Sequence, residues 1–442
     1  MMKKLWSKST LSALLIVIML VVTACGGSGG SSSGSSTGGG SQSSGSTSSG
    51  GGSSTGSSGS SGGGGSEPAP VKVALIVPLS GPYAENGQTV MEGVEMAVEE
   101  INEAGGIQSL GGAKLEIIPA DSGSADPGQA ANVTRRVLQQ NSDLTAVIGI
   151  WASAFTVAAS TVTEQAKIPM LTQSFTDEIT TRGYEYIFQF PAKSSQMGAA
   201  SVDNLVKVAE NAGIQLNNVA LVSDNASASK TAAEAIVKEL KARGITISEE
   251  LYFQPGITDA TSIATRVVNA KPDLVFLGGS LSDASLMIKT MRGMNYKGAF
   301  MGNGGAFINR QFAKVTGEDG NGTISVAGWN WDFPYPGAAE FNEKYTKKYN
   351  QDFAPQDAGT NYAIVYALKE ALEKAGSRDP QKVRDAIAEL DIPSIMTGGR
   401  VAFDETGMNK YVHPVLIQWL DGVPRTVYPE SIRTVEPVFK LE

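Results

Sequence analysis

Short runs of residues, apolar at nearly every position, recur from Val71 onward and alternate with amphipathic segments. Val71–Leu79 (VKVALIVPL), Leu115–Ile118, Ala146–Ile150 and Pro169–Leu171 form one series. Val219–Ser223, Ile245–Phe253, Leu274–Leu277 and Ala299–Met301 form a second. A strand with one wet face alternates polar and apolar residues, whereas a strand apolar throughout is buried on both faces, as in a parallel sheet covered by helices. The intervening segments supply those helices. Val90, Val94, Ala97, Val98 and Ile101 share one helical face, and Gly105-Gly106 ends that segment. Asn132–Gln140, Ala232–Arg243 and Tyr362–Ala375 repeat the pattern. The alternation predicts a doubly wound α/β fold, and two series in one chain predict two parallel-sheet lobes.

The first 70 residues follow a different rule. Lys3, Lys4 and Lys8 precede an apolar run from Leu11 to Val22, which ends in Thr23, Ala24 and Cys25, the only cysteine. A charged start, a short apolar stretch and a small-residue exit describe a secretory signal. The run is too short for a helix that must cross about 30 Å of hydrocarbon. Val22-Thr23-Ala24-Cys25 resembles the lipobox of bacterial lipoproteins, which implies cleavage after Ala24 and a diacylglycerol on the Cys25 thiol. From Gly26 to Ser66 the chain contains only Gly, Ser, Thr and Gln42. Such a segment has no apolar surface to offset the entropy of ordering, so a disordered tether spanning roughly 35 Å is expected. Glu67-Pro68-Ala69-Pro70 stiffens the entry to the folded part.

Charge and rare residues exclude several chemistries. The net charge is −9; removal of residues 1–24 leaves 32 basic against 44 acidic side chains, a net −12. An acidic body without a basic run argues against a nucleic-acid partner. With Cys25 consumed as an anchor, neither a disulfide nor a thiolate metal site can form within one chain. His413 is the only histidine, which removes Ser-His-Asp and Cys-His catalysis and most zinc sites. No Gly-Lys-Ser/Thr phosphate loop occurs, and in Gly302-Asn303-Gly304-Gly305-Ala306-Phe307 the third glycine of a dinucleotide motif is Phe307. A cofactor is not expected.

In open parallel sheets, ligands bind beyond the carboxyl ends of the strands. The loops there are Pro78–Tyr83, Trp151–Ala154, Thr172–Thr176, Asp224–Ser227, Gly278–Ser280 and Gly302–Gly305. They are small, hydroxylic and glycine-rich, which leaves backbone N–H groups reachable at helix starts and suits a carboxylate. Tyr83, Trp151, Phe155 and Phe175 add aromatic surface in the first series, with Asn86 one helical turn beyond Tyr83. Trp329 and Trp331 serve either the cleft or packing where the chain changes lobes.

Val71–Gly81 with its Ser80-Gly81-Pro82 turn, Ile101–Ile107 (INEAGGI), Asp121 followed by Asp126-Pro127, Val147-Ile148-Gly149 and Leu274–Gly279 are together similar to the branched-chain-amino-acid type of periplasmic binding protein, over essentially all of Val71–Glu442. The resemblance implies a type I binding-protein fold, with two lobes joined by a three-crossover hinge and a ligand in the cleft. Its crossovers would fall near Phe190, Gly328 and Met408, giving one lobe from 71–190 plus 329–408 and another from 191–328 plus 409–442. By the same resemblance, Ser153 would take a ligand carboxylate with its hydroxyl and N–H, with Trp151 and Ala152 in the same loop. The Ser174 carbonyl would accept from a ligand ammonium, and Thr176, or Phe175 beside it, would complete that wall. The family's amino-acid binders commonly place a carboxylate where this chain has Gly304, and aromatic residues where it has Ala226–Ala228 and Ser280. Asp224 remains as a candidate counter-charge.

What the resemblance implies is a monomeric, non-enzymatic, lipid-anchored receptor on the outer (or periplasmic) face of the cell membrane. It would capture a small carboxylate-bearing solute, either an amino acid or an aromatic acid or amide, and deliver it to an ABC permease and ATPase. An extracellular sensor is the alternative. An enzyme would need paired carboxylates such as Asp121 and Asp224, which belong to different lobes.

Overall fold

A computed structural model describes residues 67–438. The signal segment, Cys25 and the Gly/Ser tether lie outside the described residues. Among the described residues no helix is long and apolar enough to cross a membrane.

The chain first builds β1 (Val71–Val77), α1 (Ala84–Glu103), β2 (Leu115–Asp121), α2 (Pro127–Gln140), β3 (Leu144–Gly149), α3 (Ser153–Ala166), β4 (Met170–Thr172) and β5 (Ile187–Gln189). These strands form a parallel sheet in the order β2-β1-β3-β4-β5. It then builds α4 (Ser194–Asn211), β6 (Asn218–Asp224), α5 (Ser227–Ala242), β7 (Thr246–Phe253), α6 (Thr261–Ala270), β8 (Leu274–Gly278), α7 (Leu281–Gly293), β9 (Ala299–Asn303), α8 (Phe312–Thr316) and β10 (Ile324–Ala327). A third segment, α9 (Ala338–Tyr349), α10 (Gln356–Ala375), α11 (Pro380–Ala388) and the small pair β11 (Asp391–Pro393) and β12 (Arg400–Ala402), packs with the first lobe. The chain ends in β13 (Val415–Leu420) and β14 (Val423–Tyr428) on the second sheet, whose order is β14-β13-β10-β9-β8-β6-β7.

The eight strand runs read from the sequence are all present, and the inner ones bury both faces, whereas the edge strands β2 and β7 are only partly covered. In β1 only Lys72 is less than fully buried. Val71, Val73, Leu75 and Val77 join one core while Ala74 and Ile76 join the core on the opposite face. In β6, Val219 and Leu221 point to one face and Ala220 and Val222 to the other. The second sheet departs from all-parallel pairing at one edge, where β13 runs antiparallel to both β10 and β14. Asp421 and Gly422 between β13 and β14 both have positive φ, the backbone of a tight hairpin turn that Asp-Gly favours.

The chain passes between the sheets three times, and the passages lie against one another. Gln189 at the end of β5 bridges Met408, donates its N–H to the Gly407 carbonyl at 2.8 Å and accepts from the Asn409 N–H at 3.0 Å. After β10, the Gly328 and Trp329 N–H groups donate to Gln356 Oε1 at 2.9 and 3.2 Å. Trp329 is buried in the first lobe, with its indole N–H on the Ile395 carbonyl. The Trp331 N–H reaches the Pro424 carbonyl. Both tryptophans hold this passage.

One close helix approach in each lobe requires glycine. A Cβ on Gly93 of α1 would lie 2.2 Å from the Ala358 carbonyl oxygen of α10, and one on Gly198 of α4 would lie 2.3 Å from that of Ala232 in α5. Gly93→Ala must push the two helices apart and is expected to cost about 1–3 kcal/mol of stability. Gly293→Ala, which meets nothing within 4 Å, should be neutral or stabilising by the helix preference for Ala. Denaturant unfolding of the two variants checks the contrast.

Candidate functional site

Strand order locates the site before any side chain does. In the first sheet the order reverses between β1 and β3, and in the second between β6 and β8. A crevice opens where the loops leaving such a pair diverge. The first reversal emits Pro78–Tyr83 and Ile150–Ala152; the second emits Asn225–Ala226 and Gly279–Ser280. Ile150, between β3 and Trp151, has φ 50°, a conformation that a β-branched residue adopts only when its surroundings impose it. Its N–H donates to the Ile76 carbonyl, and its own carbonyl accepts from the Thr156 and Ser174 hydroxyls, each at 2.8 Å. The strained residue aims Trp151 and the start of α3.

On the first wall, the Tyr83 and Trp151 rings lie 5.2 Å apart. The Trp151 indole N–H donates to Asp357 Oδ2 at 2.9 Å, and Asn86 Nδ2 donates to the same oxygen at 3.1 Å. Asp357 stands in the first turn of α10 and is buried, which pushes its carboxyl up from 3.8 to about 6 against these two hydrogen bonds. The N-cap of α3 is Ala152, which supplies no capping side chain, so the first N–H groups of this helix lack the partner that Ser, Thr, Asp or Asn would provide there. Ser153 follows, with its hydroxyl oxygen accepting from the Phe175 and Thr176 N–H groups, both at 3.3 Å. With both acceptor positions filled, the hydroxyl proton remains to be donated. The Ser174 carbonyl accepts from Gln189 Nε2 at 2.9 Å, and the Ser174 hydroxyl and the Thr156 hydroxyl lie 2.6 Å apart. Ser174 is thus tied into the wall on both sides.

The second wall is acidic. Asp224 closes β6, is 4% exposed, and accepts from the Ala226 N–H at 3.3 Å. Burial raises its pKa above the ordinary value; hydrogen bonds from Ser229 and Ala226 oppose that, and Asp283 adds to it. Asp283 is fully buried and accepts from the Gly256 and Ile257 N–H groups at 3.0 Å, while Ser280 caps α7 by accepting from the Asp283 N–H. Tyr83 reports the facing of the walls: burial raises its pKa, and so do Asp224 and Asp283 from the other lobe. Gly304 has φ 101°, a conformation that favours glycine, and a Cβ placed on it would meet nothing within 4 Å, so the backbone there borders open space. Asp121 belongs elsewhere: its Oδ1 accepts the Leu79 and Gly123 N–H groups at 2.8 Å and shapes the loop after β1.

Three contacts join the walls. The Thr176 and Ser227 hydroxyls lie 3.2 Å apart. Trp151 abuts the Gly305 backbone so closely that a Cβ there would stand 2.8 Å from the indole. Arg310, just beyond β9, reaches α1 and α9: its Nε donates to Glu85 at 2.6 Å, and its Nη1 donates to Glu92 at 2.7 Å and to the Tyr345 hydroxyl at 2.9 Å. Burial would lower the Arg310 pKa, but Tyr345 and the two carboxylates outweigh it and raise it. These three contacts hold the two walls against each other.

Of the residues read from the sequence, the structure gathers Tyr83, Asn86, Trp151, Ala152, Ser153, Ser174 and Thr176 on one side, with Asp224, Ser280 and Gly304 on strand-end loops of the other. Three participants were missed. Asp357 stands two residues after Pro355 and reads as an ordinary helix-start acid, and Asp283 likewise sits in the first turn of α7. Arg310 lies outside the strand-end loops, and no local pattern marks its two carboxylate partners, more than 200 residues away.

Removing the Arg310 charge leaves Glu92, whose side chain is 8% exposed, without its counter-charge and with the Tyr345 hydroxyl as its remaining donor. Arg310→Gln is expected to destabilise the protein on the order of 3 kcal/mol. Glu85→Gln, at a rim side chain that is 31% exposed, should cost less than about 1 kcal/mol. Urea titration of both variants reads the difference.

A sequence model of the family described as periplasmic binding protein matches residues 70–421. The Leu/Ile/Val-binding protein homolog 8 of Brucella abortus (strain 2308) is 29% identical over 383 residues, covering 84% of this chain and 94% of the relative. Among solved structures, the fold is similar to the branched-chain amino acid transporter substrate binding protein LivJ of Streptococcus pneumoniae in complex with isoleucine, with a TM-score of 0.72, 24% identity, and coverage of 81% of this chain and 100% of that one. It is also similar to a solute binding protein of an ABC transporter from Rhodopseudomonas palustris BisB5 in complex with 3,4-dihydroxy benzoic acid, with a TM-score of 0.69, 22% identity, and coverage of 80% and 94%.

Proposed function

The chain belongs to the periplasmic binding protein family, and on that premise we propose that it is the lipid-anchored solute receptor of an ABC importer, closing its two lobes on a small carboxylate-bearing ligand. The observation that carries the reading is the start of α3. The Ala152 N-cap leaves the helix without a side-chain cap, and the Ser153 hydroxyl, its acceptor positions filled by Phe175 and Thr176, retains its proton to donate. An anion in the cleft would complete this helix terminus as a capping side chain does elsewhere. Thr176 lies at the same edge and already touches Ser227 of the opposite lobe, so an anion bound there is positioned to favour closure.

An amino acid is the leading ligand, because Asp224 on the facing wall offers a carboxyl group to an ammonium although Gly304 offers none. An aromatic acid is the second reading, favoured by the Tyr83–Trp151 pair. Calorimetric titration with leucine, isoleucine, valine, benzoate and hydroxybenzoates separates the two. Each binder is to be compared with the analogue in which an amide or a methyl group replaces the carboxylate. At about 100 times the dissociation constant a true ligand adds roughly 2.7 kcal/mol of stability. Ser153→Ala should weaken binding about 10-fold or more, the loss of one hydrogen bond to a charged group. Equal affinity for carboxylate and amide partners would contradict the reading.

Cys25 anchors the receptor beside its permease. Cys25→Ser is expected to move the protein from the membrane fraction to the medium or periplasm without changing its ligand affinity. Retention in the membrane would refute the anchor.

A further inference from the structure

The mechanism above uses Trp151 as a wall of the cleft, yet nothing in its own loop fixes the indole. The loop leaves a strained Ile150 and gives way at once to the uncapped start of α3. What holds the ring comes from a third chain segment. Asp357 Oδ2 takes the indole N–H at 2.9 Å and the Asn86 amide at 3.1 Å. Tyr83 packs on one side of the indole, and Gly305 of the opposite lobe lies against another part of it. Trp151 is therefore one of the places where the second lobe meets the first, and the hydrogen bond that fixes its indole N–H ends on one buried oxygen.

We propose that Asp357 is a positioning residue for ligand selection, whose ionised carboxylate locks the Trp151 indole in the orientation that shapes the cleft and receives Gly305 on closure. The proposal rests on the binding reading given above, but the locked indole exists without ligand. A carboxylate acceptor is stronger than a neutral one; that advantage explains a buried acid in place of an amide, although burial disfavours its charge. Two charged groups act on it through space: Glu85 of α1 opposes ionisation, and Arg310 of the second lobe favours it. Arg310 is itself engaged by Glu85 and Glu92 and does not touch Asp357. The Asp357 carboxyl, raised to about 6, is ionised at pH 8 and protonated at pH 5. The lock is thus full strength above neutrality and weakened as pH falls through about 6. An asparagine at this position is the neutral isostere at every pH.

The test labels the full chain with 5-fluorotryptophan, assigns the Trp151 resonance by its loss in Trp151→Phe, and follows it from pH 8 to 5 without ligand. In the wild type the resonance should move with a midpoint near 6. In Asp357→Asn it should stay at the wild-type low-pH position throughout, and in Asp357→Ala it should shift further and broaden. Affinity for the carboxylate found by calorimetry should fall three- to tenfold in Asp357→Asn at pH 8, and the two proteins should converge at pH 5. A Trp151 resonance that is unmoved by pH and by Asp357→Asn overturns the proposal, whatever the ligand proves to be. If Asp357→Ala fails to fold, Asp357→Asn alone decides. If the resonance behaves as described while no carboxylate binds, the lock stands and the proposed ligand class fails.

Discussion

Strands buried on both faces leave a protein one kind of place for polar chemistry, namely their ends. Each sheet here has an apolar core above and below it, and alternate residues of β1 and β6 feed the opposing cores. Side chains along these strands cannot serve a solute without breaking a core. The loops at the carboxyl ends can, because helix N-termini begin there with N–H groups to spare. The order reversals at β1/β3 and β6/β8 then decide which loops diverge enough to form a crevice. Tyr83, Trp151, Asp224 and Ser280 follow from that constraint, which acts before any ligand is considered.

Buried charge governs how the two lobes meet. Arg310 brings a guanidinium from the second lobe to two carboxylates of the first, and its planar donor set satisfies both and a tyrosine together. Asp357, close by in space, has no such partner and takes only neutral donors. Glu85 and Glu92 have a counter-charge in contact, and Asp357 has none. A paired charge holds the lobes together; an unpaired one persists where its strength as an acceptor is used.

The fold was legible because it depends on short-range pattern. Runs such as Val71–Leu79 and the helical face of Val90 to Ile101 carry their burial in their spacing. The strands that escaped are those that the pattern underdetermines: the short strands Ile187–Gln189 and Ile324–Ala327, the small pair Asp391–Pro393 and Arg400–Ala402, and the hairpin Val415–Tyr428, whose Asp421-Gly422 turn was a readable signal. The first wall of the site was legible from loop position and resemblance, as with Ser153 and Thr176. Asp357 and Arg310 were not, because their roles exist only through contacts such as Asp357 with Asn86, 271 residues away. A single sequence holds both residues but not their meeting.

If a carboxylate solute sits between the two lobes as proposed, its binding and their closure are one event. Small-angle X-ray scattering during a titration with the calorimetrically identified ligand tests it directly. Closure on binding makes the radius of gyration fall saturably, with a midpoint at the dissociation constant. Scattering that stays unchanged while the ligand saturates the protein would contradict it.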